Sequence, residues 1–153
     1  MEENEYKSAY NTIANIRCVF EKALTNHHAQ CHLAAHFCLA DREGYACQHK
    51  QAASRCKSLL EKLRENASFA LKLPNVGAPL AHNKEIRVQV GGLTGLAKLA
   101  PPAPQEPAQL TPDIDETITA VITHYGSIDA LPYNEIMQSV VQFKGRRKRQ
   151  NKR

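Results

Sequence analysis

The 153-residue chain has no tryptophan, two methionines and only 6% aromatic residues, so any core it builds rests on aliphatic side chains and alanine. No apolar run approaches the roughly 18 to 20 residues that cross a bilayer, and no membrane association is expected. The opening Met1-Glu2-Glu3-Asn4-Glu5 is acidic where a secretory signal is basic and then apolar. A cytoplasmic location follows as the expectation. The chain also lacks G-x-S-x-G, H-E-x-x-H, a phosphate-binding Gly-Lys-Ser or Gly-Lys-Thr, and any C-x-x-C pair. With no readable nucleophile or paired-acid motif, a non-catalytic protein is expected.

What is present is unevenly distributed. The formal charge of +5 looks like that of a generally basic protein, yet Lys144 to Arg153 holds seven of the twenty Lys and Arg and no acidic residue. Thirteen basic residues face fifteen acidic ones elsewhere, so the body is slightly acidic and the last ten residues make the protein basic. Lys144, Arg146, Arg147, Lys148, Arg149, Lys152 and Arg153 form a run that can release counterions from a polyphosphate backbone. Nucleic acid or a ribonucleoprotein is the expected partner, with an acidic protein surface as the alternative. Lipid is disfavoured because no aromatic or long aliphatic residue follows Phe143 within the charge.

Hydrophobic periodicity predicts a mainly α protein in four parts. Residues 1–74 read as a small helical bundle. Tyr6, Ala9, Ile13, Ile16, Phe20, Ala23 and Leu24 form one face of a helix over 5–24. The breaker-free, Ala- and Leu-rich run 27–42 reads as a second helix stopped by Gly44. Ala52, Cys56, Leu59, Leu60, Leu63 and Ala67 stripe a third over 50–71. Residues 75–99 read as a strand, with Glu85 to Val90 alternating polar and β-branched, then a turn at Gly91, Gly92 and Gly95 and a short helix. Such a strand needs a partner, and a second copy of the chain is one candidate. Gly92 to Gly95 matches a G-x-x-G nucleic-acid loop only two residues deep, so a tight turn is the preferred reading.

Residues 100–112, with Pro101, Pro102, Pro104, Pro107 and Pro112, read as an extended linker. Residues 113–153 read as a helical hairpin ending in the basic tail. Thr111 is the expected cap and Pro112 the first helical residue; Ile114, Ile118, Val121, Ile122 and Tyr125 line one face, and Gly126 is the stop. Tyr133, Ile136, Met137, Val140 and Phe143 line the second helix.

The chemistry sits in cysteine and histidine. Cys31, Cys38, Cys47 and Cys56 lie within 26 residues, and five of the seven histidines lie in or beside that window. Thiolate and imidazole suit soft and borderline metals. On a helix Cys31 and Cys38, two turns apart, share a face with His27, a substitute ligand; Cys56 points inward and Cys47 follows in a loop. A four-thiolate centre holding an iron-sulfur cluster or zinc is expected, the long spacers favouring the cluster. Cys18 falls off the apolar stripe of the first helix and is read as exposed and outside the ligand set. The whole then reads as a metal-bearing helical adaptor with a nucleic-acid-binding tail. The alternative is an iron-sulfur redox or electron-transfer accessory that docks on an acidic partner.

Overall fold

The computed structural model describes residues 3–5, 7–8, 16–73, 80–100 and 113–143. The basic tail and the proline-rich linker, apart from Ala100, lie outside the described residues. The described residues are mostly helical with one two-stranded antiparallel sheet. Its elements are α1 (Glu21–Thr25), β1 (Ala34–Leu39), β2 (Arg42–Cys47), α2 (Lys50–Ala70), α3 (His82–Leu99), α4 (Ile114–Tyr125) and α5 (Tyr133–Gln142). Among the described residues, no helix is long and apolar enough to cross a membrane.

The expected second helix is instead a β-hairpin. Leu39 pairs with Arg42 and Ala34 with Cys47, leaving a two-residue turn, Ala40-Asp41, in which both residues have positive φ, 48° and 64°. That left-handed pair matches the right-handed twist of the flanking strands. Gly44, expected as a helix stop, is buried in β2 opposite Phe37. The expected helix over 5–24 does not run through either. Residues 3–5 and 7–8 are helical, but Ile16–Phe20 is not. There the Cys18 N–H donates to Tyr45 O at 3.0 Å and the Cys47 N–H to Ile16 O at 2.8 Å, so this segment satisfies the open edge of β2.

The helix α2 forms as the apolar stripe predicts, with Ala52, Leu59, Leu60, Leu63 and Ala67 buried. His49 caps it, Nδ1 accepting the Ala52 N–H at 3.1 Å. The expected strand and glycine turn are a single helix, α3. Its polar residues are buried for a reason. Arg64 reaches both Glu85 oxygens from Nε at 3.1 Å, and the Gln89 amide donates to Glu85 and to Val19 O while accepting from Ala23 N. The glycines are a packing face: a Cβ at Gly91 would lie 2.6 Å from Val140 Cα, one at Gly95 2.9 Å from Ile136 Cα, and one at Gly92 2.8 Å from Leu63 Cδ1. Absent side chains let α3 approach α5 and α2 closely.

The C-terminal pair follows the sequence reading closely. Ile114, Ile118 and Val121 of α4 and Ile136, Met137 and Val140 of α5 are buried, and Gly126 stops α4 at φ 97°. The cap differs: Asp113, not Thr111, accepts the Glu116 N–H at 3.1 Å. One hydrophobic core runs from Phe20 through Leu59, Leu63, Val88 and Leu96 to Ile118, Ile136 and Val140.

Candidate metal centre

Hairpin and helices meet at a small cavity of about 20 Å³ lined by Cys18, Cys31, Cys47 and Cys56 together with Phe20, Leu33, Ala34, Ala52 and Ile114. Each thiol comes from a different place in the chain. Cys18 lies in the segment that edges β2, and Cys31 in the loop before β1. Cys47 ends β2, and Cys56 lies one turn and a half into α2. Cys38 does not reach this cavity. It is exposed and pairs with Glu43 near the hairpin tip, four residues along β1 from Ala34, which is roughly 13 Å at strand rise. The structure therefore brings together three of the four expected cysteines and adds Cys18, which is half-buried rather than on an exposed helix face.

The thiols sit in a low-dielectric place. Burial pushes Cys18 up to about 12, and the neighbouring Cys56, Cys31 and Cys47 add to the shift. Burial likewise pushes Cys56 up to about 12, against the Arg55 cation, which lowers it. Cys31 is raised as well, chiefly by burial.

Nearby backbone N–H groups oppose part of that rise. The Phe20 N–H lowers the Cys18 pKa, and the N–H groups of Leu33 and Asp115 lower that of Cys31, each against the larger rise from burial. The first two come from residue i+2 of the cysteine itself; the third comes from the first turn of α4, whose N-terminal dipole favours negative charge. All three stabilise thiolate over thiol. The Cys47 thiol donates to His49 O at 3.3 Å.

The histidines are engaged elsewhere. His27 is exposed in the turn after α1 and does not line the cavity. His49 caps α2. His36 lies 3.8 Å from Glu43 and tilts against Tyr45. His32 ties the Cys31 loop to α4: its backbone N–H donates to Asp113 Oδ2 at 2.7 Å, Nδ1 lies 3.0 Å from Asp113 Oδ1, and Nε2 lies 3.6 Å from Asp115. Asp115, which also lines the cavity, pairs its carboxylate with Arg55.

Among the described residues, no group of three or more His, Cys, Asp or Glu side chains is already gathered closely enough to hold a metal ion. The donor chemistry fits one nonetheless: four cysteines from separate segments line a common, largely apolar space. No protein-family model, curated protein or solved structure matches the chain.

Proposed function

We propose that this chain is a non-catalytic metal-binding helical adaptor. Cys18, Cys31, Cys47 and Cys56 hold the metal, and the tail from Lys144 to Arg153 engages nucleic acid or a ribonucleoprotein. The observation that carries the metal reading is that four cysteines from four separate segments line one cavity. With four thiols and no free carboxylate at the cavity, the donor set is that of a structural or redox centre rather than a hydrolytic one. Support for the tail reading is its charge, seven cations in ten residues, which is enough for salt-dependent polyanion binding without a precise fold.

Two measurements test the proposal. Protein purified under argon without chelator should carry metal in fixed proportion to chain; a metal-free protein whose hairpin is folded would sink the metal part. Deleting residues 144–153 should abolish salt-sensitive retention on a polyanion column, and unchanged retention would sink the tail part.

A further inference from the structure

We infer that the centre is a single zinc ion held tetrahedrally by Cys18, Cys31, Cys47 and Cys56, and that its work is to fasten the β-hairpin to the helical core. This inference rests on the metal-binding reading above and names the metal and its role.

Cavity size speaks first. About 20 Å³ is the space of one water-sized particle, the smallest void that holds a water being roughly 10 to 15 Å³. One ion drawing four sulfurs inward fills it. A cluster of four irons and four sulfides is an eight-atom object, and it would have to push α2, the Cys31 loop and Phe20 apart to enter. Phe20 is completely buried in the core, so that displacement would be costly.

The donor count speaks second. Four thiolates supplied by the protein leave no open coordination position, which is the pattern of structural zinc rather than of catalytic zinc with its bound water. Binding balances without any electron transfer. Four S–H bonds break and four Zn–S bonds form, the protons leave to solvent, and the oxidation state of neither zinc nor sulfur changes. The resulting dianionic centre would sit beside Arg17, which lines the cavity, and near Arg55. The Phe20, Leu33 and Asp115 N–H groups, which favour thiolate at Cys18 and Cys31, would offset part of its charge.

The hairpin gives the role. Two strands alone are marginally stable in water, and of the twelve residues in β1 and β2 only Gly44 is buried. Ala34 and Tyr45 at the base of the hairpin pack partly buried against the main core, whereas Phe37, Leu39 and Ala46 form only a small partly buried cluster of their own. Partial burial and the backbone bonds to Ile16 and Cys18 give the hairpin a limited hold, and a cross-link at its base would strengthen it. The four thiols, however, are placed at its base: Cys31 precedes β1, Cys47 ends β2, Cys18 lies in the segment bonded to the edge of β2, and Cys56 anchors the group to α2. A metal cross-link there closes both chain ends of the hairpin onto a helix whose apolar stripe is buried in the core.

The test uses the full chain purified under argon, with elemental analysis, a visible spectrum and hydrogen exchange before and after stripping with a chelator. One zinc per chain is expected in a colourless protein, with replacement by cobalt giving the intense visible bands of tetrahedral thiolate coordination. Stripping should raise exchange at 34–47 at least tenfold and leave α3 and α5 protected. Cys18→His should retain zinc, since imidazole replaces thiolate at such sites, whereas Cys18→Ala should lose it. Several irons per chain with visible absorption would overturn the zinc inference and leave the metal-binding reading standing. Zinc present but hairpin exchange unchanged on stripping would overturn the fastening role. No metal at all, in a chain whose hairpin is protected, would overturn both.

Discussion

Cys18 and Cys56 face the same cavity from the segment before α1 and from α2, and burial pushes both thiols up to about 12, with Cys56 adding to the shift at Cys18. In metal-free protein these two should therefore be nearly inert to alkylation, with thiolate on the order of 1 in 10⁴ at pH 8. Cys38 is exposed at the hairpin and should label first. Peptide mass spectrometry after brief iodoacetamide treatment checks the order. Labelling of Cys18 before Cys38 in folded protein would contradict the placement of both.

The contact between α3 and α5 predicts a cost for the smallest possible side chain. In an exposed helix, Gly to Ala would gain about 1 kcal/mol in propensity. Gly91→Ala must instead force a Cβ to within 2.6 Å of Val140 Cα, and a net loss of about 2 kcal/mol is expected from overpacking. Urea denaturation measures it. A stabilised Gly91→Ala protein would mean that the two helices do not approach as described.

How far the sequence could be read depended on whether an element buried a simple stripe. The helices α2, α4 and α5 each bury aliphatic residues at three- and four-residue spacing, and their extents were legible within a few residues. The region 82–99 was not, because Glu85 and Gln89 look solvent-facing until Arg64, Val19 and Ala23 are known to satisfy them. Its three glycines mimic a turn until their contacts are known. The hairpin was hidden for the opposite reason. Alanine and leucine favour helix locally, and the turn at Ala40-Asp41 carries none of the glycine or asparagine that usually marks a left-handed pair. The signal that was there is alternation, with Phe37 and Leu39 on one face and His36 and Cys38 on the other.

The same local ambiguity hides the site. A helical spacing of seven made Cys31 and Cys38 look like partners, whereas a strand places Cys38 far from the cavity. An assumed long first helix put Cys18 off its apolar face, whereas the chain is extended there and bonds to β2. No motif or spacing rule available in the sequence would have exchanged the two.

The ion pair beneath α3 should behave as a buried one on the carboxylate side. Glu85 is 5% exposed, while the Arg64 side chain is 44% exposed. Arg64→Met leaves the carboxylate with Gln89 alone and should cost about 1 to 3 kcal/mol, less than a fully buried pair because solvent reaches the Arg64 site. Adding Glu85→Gln should recover part of that loss. A double mutant as unstable as the sum of its single mutants would show that the two groups are not coupled.

His32 offers a pH reading. The hydrogen bond to Asp113 raises its pKa above the ordinary 6.5, against a smaller opposing effect of desolvation, and the Asp113 and Asp115 charges add to the rise. A raised value in the folded state means that the pair supports the fold fully below about pH 6.5 and that this support fades as pH climbs through the raised value. An NMR titration should show the His32 midpoint falling in Asp113→Asn, a variant that still caps α4. An unchanged midpoint would mean that Asp113 does not hold the imidazolium.

The most direct measurement of the central claim is the metal content per chain of three full-length proteins purified in parallel under argon: wild type, Cys18→Ser and Cys38→Ser. The account predicts one metal centre in the wild type, the same in Cys38→Ser, and a large loss in Cys18→Ser. Equal loading in Cys18→Ser and loss in Cys38→Ser would contradict it.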